Sequence, residues 1–513
     1  MTMNEWFIFF LIIQVVHFLG TWKLYSKAGR KSWEAIIPIY NAIVLMKIIK
    51  RPTWWVILLF IPIINLLMFP VVWIETIRSY GKNSTLDSFL AVLTLGFYTY
   101  YVNYLVKVEY IEDRSLKSRT ELGEWVSSIV FAIVAATLVH TYFMQPYTIP
   151  TSSLEKSLLI GDFLFVSKFH YGARAPMTTV AAPMVHDSLP FTKLKSYLKK
   201  PQLPYFRIPG FQDIKRNEIV VFNWPTDTVR FFRDKSNIHV DKPIDKKSNY
   251  VKRCVGIAGD SLEIKDGYIY INGERTQLPD RAKPQYFHMV TVSNEFNPNS
   301  IMNRYGSTEF SRIQNGSMYA NLTDENAKKL RNNPHVKSVV KDLTAGGTYD
   351  ASVFPHNENY KWSRDNYGPI YIPEEGKTVE LNANTIPFYK RIIEEYENND
   401  LTINENEIYI NGKIATSYTF KQNYYWMMGD NRHNSEDARF WGYVPFDHVV
   451  GKPVFIWFSW DSNGQGIANK IRWDRIFTTV HGDGKPVSYL YHFLTVLLIW
   501  FGYSSYRKRK NAE

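Results

Sequence analysis

The sequence predicts a multi-span α-helical membrane anchor plus a mainly-β exported domain with α/β insertions. Three observations predict it. Long apolar runs crowd before residue 145 and after residue 487. The stretch between is polar, rich in Pro, Gly and Asn, and broken into short β-branched or aromatic runs. Lys and Arg gather beside the apolar runs, where they report membrane orientation.

The chain of 513 residues is long enough for two or three domains. Its net charge of +12 does not make it a nucleic-acid binder, because no basic stripe with interleaved aromatics occurs. A single cysteine, Cys254, forbids an internal disulfide and leaves the redox compartment unstated.

Five apolar segments reach spanning length, at 6–22, 53–74, 86–106, 126–143 and 488–503. A further run, 33–49, is interrupted by Glu34, Pro38, Asn41 and Lys47 and reads as interfacial or re-entrant. The first segment has no basic leader, and its positive charges follow it. That polarity is wrong for a secretory signal and right for an anchor with its N-terminus outside. The loops 23–51 and 107–124 and the tail Arg507-Lys508-Arg509-Lys510 are basic, hence cytoplasmic. Residues 145–487 then lie on the export side. The expected domains are a three-span region at 1–123, a fourth helix at 124–145, an exported domain at 146–487, and a last helix with a cytoplasmic tail at 488–513.

Within the exported domain, strands are expected at 163–166, 218–222, 250–255, 261–264, 268–271, 449–451 and 454–458. Asp266-Gly267 signals a hairpin turn. Residues 261–275 and 400–414 resemble one another and read as two similar hairpins around an insertion. That insertion, near 274–399, should hold helices at 324–331 and 387–397. A second insertion, near 171–216, is rich in Pro and aromatics.

Thr151, Ser152 and Ser153 follow the fourth apolar segment directly, at the boundary of lipid and water. A serine nucleophile needs a neutral base. None of the 12 histidines sits in a recommending pattern. His433 lies in the conspicuous block GDNRHNSEDAR (429–439), among charged and polar neighbours. No HExxH pair exists, so a zinc-protease reading has no ligand set. A lysine base must fall by roughly 3 units from ~10.4, about 4 kcal/mol, and burial supplies shifts of that size. Lys252, in the apolar run YVKRCVG, sits on the opposite strand face from Val251 and Arg253. Periodicity alone fits a buried amine and a solvent-facing one equally.

Four segments resemble the ordered motif boxes of bacterial type I signal peptidase, the membrane-bound Ser/Lys proteases. They are IPTSSLEKSLLIGDFLFVSK (149–168), NEIVVFNWP (217–225), YVKRCVGIAGD (250–260) and MMGDNRHNSEDARFWGYVP (427–445). The resemblance covers about 124–260 and 424–461. It implies the signal peptidase I β-fold for the catalytic domain, and cleavage of signal peptides from exported preproteins through an acyl-enzyme. It implies Ser153 as nucleophile and Lys252 as general base. Thr151 joins the Ser153 amide in the oxyanion hole. Ser435 orients the lysine, Asp437 and Arg439 support the site, and Arg253 is structural. No cofactor or metal is implied. The implied partners are preproteins and the lipid bilayer of a bacterial cytoplasmic membrane, near the secretion machinery and away from nucleic acid.

Two residues depart from the family pattern. Leu154 stands where Met is usual and Lys156 where Pro is usual. Lys156 creates an S-x-x-K string, the mark of penicillin-recognising hydrolases, but their later K-T-G element is missing from the chain. Lys156 as the base, Ser152 as the nucleophile, and a membrane scaffold with a dead protease domain are the remaining alternatives.

Overall fold

The computed structural model describes residues 2–117, 120–192, 194–230, 234, 236, 238–313, 316–404, 407–482 and 484–511. The chain forms two compact units. One comprises Met1–Met144, Ala173–Ile208 and Thr228–Lys247, the other Gln145–Gly172, Pro209–Asp227 and Ser248–Glu513.

The first unit is helical. Its helices are α1 (Met3–Lys27), α2 (Tyr40–Ile48), α3 (Trp55–Leu58), α4 (Ile64–Arg78), α5 (Thr85–Leu93), α6 (Tyr98–Tyr104) and α7 (Glu121–Leu138), which runs on as a π turn to Phe143. A Thr2/Glu5 capping box starts α1, and the Thr120 hydroxyl caps α7. Among the described residues two helices are long and apolar enough to cross a membrane, Met3–Lys27 and Glu121–Phe143. Both leave large apolar side chains uncovered, with Phe7 60% and Phe131 74% exposed, as an anchor requires and a core helix does not.

The expected three-span region is not confirmed. The second and third predicted spans each break into two shorter helices, none of which qualifies as a crossing by itself. Pro62 cannot continue a helix and disfavours α geometry at Ile61, so α3 and α4 separate there, with Ile63 at positive φ. Leu95 and Gly96, both at positive φ, separate α5 from α6. A side chain on Gly96 would strike the Trp73 ring. These short helices pack around Leu24, Tyr25, Val44, Met46, Ile49, Ile77 and Val102. The run expected to be interfacial supplies α2, whose Val44 and Met46 are fully buried. The last predicted span is the helix Leu490–Lys510, whose final turn is Arg507 to Lys510. It falls outside the two qualifying helices because its apolar run is short.

The second unit is mainly β. Its largest sheet runs in the order β1 (Met144–Thr148), β2 (Asp162–Ser167), Val449–Ser459, β3 (Ile219–Asn223), β4 (Asn249–Gly256), Tyr424–Met428 and Val444–Pro445, with Thr478–Thr479 also paired to Val449–Ser459. The ladders from β2 onward are antiparallel. The two short runs expected at 449–458 form one strand. β3 is buried on both faces. Val220 and Phe222 enter the larger core with Trp426 and Met428, while Ile219 and Val221 enter a smaller one with Leu154, Leu158, Leu164 and Ile456.

Both expected hairpins form. Asp266 and Gly267 turn the first with φ of 50° and 79°, the pair a type I′ turn needs. Asn272 and Asn411 play the same part in each, accepting from the backbone N–H of Ser261 and Asp400 at 2.9 Å. Between them a four-stranded sheet (Gln285–Val292, Phe310–Arg312, Ser317–Thr323, Val336–Lys341) and the helix Asp324–Arg331 enclose their own core of Val290, Ile301, Met318, Leu322 and Leu330.

Candidate active site

Pro150 and an extended Thr151 lead into a 3₁₀ turn at Ser152–Leu154. Leu154, 1% exposed, anchors this turn in the smaller core, so Leu for Met keeps the apolar contact. The turn packs on β4, the strand that carries Lys252. Ser153 is buried. Thr151 is half-buried, and its side chain does not cap the turn.

Lys252 pairs with Val220 across the β3–β4 ladder and so shares the face of Val220 and Phe222. It is only 4% exposed, which decides between the two orientations left open by periodicity. Its amine lies 5.6 Å from the centre of the Tyr250 ring. Burial lowers its pKa from 10.5 to about 8, against the upward pull of Asp437 and Glu436. Arg439 pulls it down and pairs with Asp437, the strongest of the charges that raise it. The two oxygens of Asp437 accept from Nε and Nη2 of Arg439 at 2.8 Å each, and both residues are buried. Without that arginine the carboxylate would favour the ammonium form.

Met428 pairs with Arg253, and the next step of that register brings Gly429 opposite Lys252. Only glycine fits there. A Cβ would overlap the Ser435 hydroxyl and the Ser153 carbonyl, so the serine turn and Ser435 converge on this residue. Ser435 is buried with no hydrogen-bond partner for Oγ among the described residues. Such an orphaned hydroxyl is costly unless a reacting group uses it. Arg253 lies on the other face and makes a bidentate pair with the fully buried Asp430 at 2.8 and 2.5 Å. That pair ties β4 to the Gly429–Arg432 turn.

Lys156 is drawn away from this centre. Its ammonium donates to the Gly306 carbonyl of the inserted sheet region. The Ser152 hydroxyl points to Glu309 at 3.3 Å. His433 is a staple, accepting from Phe287 N–H at 3.0 Å and pairing with Asp365 at 2.8 Å. Sequence reasoning missed Asn431, whose N–H and side-chain amide bond the carbonyls of Ser153 and Ser152. It also missed Asp430 as the partner of Arg253. Both sit in the Gly429–Arg432 block, so the signal was present, but nothing in one sequence says which atoms face the serine turn.

A buried hydroxyl turn beside a strand with a buried lysine, in a chain with exposed apolar helices, fits a membrane-anchored serine peptidase. The family model "Signal peptidase, peptidase S26" matches residues 122–365 and 300–460. The chain belongs to this family, and its activity is that of a signal peptidase. It is 24% identical over 409 residues to signal peptidase I of Buchnera aphidicola subsp. Acyrthosiphon pisum, covering 76% of this chain and 98% of that protein. It is 26% identical over 382 residues to signal peptidase I of Helicobacter pylori, covering 71% and 94%. Residues 33–113 match a separate family of unknown function.

Proposed function

We propose that Ser153 and Lys252 form the Ser/Lys pair that cuts signal peptides from exported preproteins. The observation that carries this reading is the Lys252 amine, buried and lowered to about 8, on the strand against which the serine turn packs. Neutral Lys252 takes the Ser153 proton as Oγ attacks the carbonyl at the end of the signal peptide. The oxyanion sits between the Ser153 amide and the Thr151 hydroxyl, donors of a kind that contribute about 3 kcal/mol each. Collapse passes the proton from Lys252 to the leaving amine and leaves an acyl-enzyme. Lys252 then activates water for deacylation. Ser435 orients the amine, Asp437 and Arg439 balance its charge, and Arg253 holds the strand. Small residues, typically Ala, precede the cut at the first and third positions, and the substrate adds as an extended strand.

The domain boundaries at 123, 145 and 487 and the two insertions belong to this reading, as does a multi-pass topology in a bacterial cytoplasmic membrane. Replacing two predicted spans by short packed helices removes an even number of crossings. With Leu490–Lys510 counted as a third crossing, the charge argument keeps the N-terminus outside, the catalytic domain on the export side and the basic tail inside. Lipid contact and nearness to the secretion machinery follow from that placement. Ser153→Ala and Lys252→Ala should each abolish cleavage of a labelled preprotein by the purified full chain. Unchanged cleavage by either overturns the assignment.

A further inference from the structure

The insertion reaches the serine turn through polar contacts that the proposed chemistry does not use. Glu309 Oε1 accepts from the Ser152 hydroxyl at 3.3 Å and from the Asn434 amide at 2.5 Å. Asn434 also donates to the Ser152 hydroxyl at 3.1 Å. These three groups close a triangle on the residue before the nucleophile. One turn further along, Lys156 bonds the Gly306 carbonyl. Gln285 bonds the Glu155 carbonyl at 2.9 Å through its side chain, and its N–H bonds the Asp430 carbonyl at 2.8 Å.

Both ends of this contact are built for it. Lys156 has φ of 69°, a left-handed conformation unfavourable to a lysine and stable only when its surroundings hold it. Lys156 is half-buried, and that burial lowers its pKa. Gly306 leaves room for the ammonium, since a Cβ would lie 2.9 Å from Nζ. The loop that carries Gly306 and Glu309 is rigid. Asn321, fully buried in the strand Ser317–Thr323, accepts from Thr308 N–H, Glu309 N–H and the Ser307 hydroxyl, each at 3.0 Å. The separate core beneath gives the loop a fixed base.

We propose that the insertion is a brace for the catalytic turn, with Glu309 and Lys156 as positioning residues that set the height and angle of Ser153. The proposal rests on Ser153 as nucleophile. It also gives Lys156 its reason for standing where the family pattern has Pro. Proline, locked at a φ of about −65°, could not adopt the φ of 69° found here. A lysine can, and its tether to the Gly306 carbonyl holds it there.

The test compares Glu309→Ala, Glu309→Gln, Lys156→Met and Ser153→Ala in the purified full chain, with kcat, KM, the pH profile and the melting temperature measured for each. A misplaced nucleophile lowers kcat and leaves binding alone. Glu309→Ala and Lys156→Met should lose about tenfold in kcat. KM and the pH midpoint should stay as in the parent, because Lys252 is untouched, and Glu309→Ala should keep the parent's melting temperature. Glu309→Gln keeps an acceptor oxygen and should restore kcat. Parental kcat in Glu309→Ala, or a loss that glutamine does not restore, overturns the brace. If Ser153→Ala still cleaves, the nucleophile assignment fails first, whatever the other variants do.

Discussion

Asn431 donates its backbone N–H to the Ser153 carbonyl at 3.0 Å and its side-chain amide to the Ser152 carbonyl at 3.2 Å. Residues far apart in the chain are thereby fixed to one another at the reacting centre. Asn431 is fully buried, so its own amide has no water as a substitute partner. Asn431→Asp removes the amide donor and sets a carboxylate against a carbonyl. We expect kcat to fall at least tenfold and stability by about 1–3 kcal/mol. Preprotein cleavage and thermal unfolding of the same sample measure both, and an unchanged kcat would contradict the clamp.

The second prediction concerns pH. In the proposed mechanism the base acts when neutral, and the pKa of Lys252 lies near 8. Cleavage efficiency should rise tenfold per unit below that value and level off above it. Restoring charge near the amine should move the midpoint. Arg439→Met leaves Asp437 unneutralised, which favours the ammonium form, so the midpoint should move upward. A midpoint that stays in place would show that Asp437 does not act on Lys252.

A third prediction follows by linkage. The folded pKa of Lys252 lies below its unfolded value of 10.5. Between about 8 and 10.5 the unfolded chain binds the extra proton, so stability contributed by this group rises with pH across that window. Below it the folded protein carries a buried ammonium, a cost of about 3 kcal/mol from the shift. Lys252→Met should therefore be inactive yet more stable at pH 7, by about 1–3 kcal/mol, with the gain shrinking toward pH 10.5. Denaturant unfolding at the two pH values decides it.

The Arg253–Asp430 pair supplies a fourth. Removing either partner strands a buried charge, at about 3–5 kcal/mol. Asp430→Asn and Arg253→Met should each destabilise by that order. The double variant should lose less than the sum of the singles, and full additivity would mean that the pair is not coupled.

Much of the β domain was legible because its signals are local. Alternating apolar residues, Asp266-Gly267 and the paired asparagines of the two hairpins report short-range geometry, and the strands form where they predict. The membrane region was less legible. Hydropathy over 53–74 and 86–106 counts apolar side chains without weighing Pro62, Leu95 or Gly96, and those backbone breaks decide whether a run crosses or folds back. Likewise, motif spacing singles out Lys156 as readily as Lys252.

The amino-acid order by itself determined the family motifs and which strands form. Those are properties of neighbours along the chain. Tertiary structure alone decided that Lys252 is dry and Lys156 tethered, that Asp437 is paired with Arg439, and that Asn431 and Glu309 grip the serine turn. An amine's proton affinity depends on the dielectric and the charges around it. Those are supplied by segments hundreds of residues away, which only the fold brings within a hydrogen bond of one another.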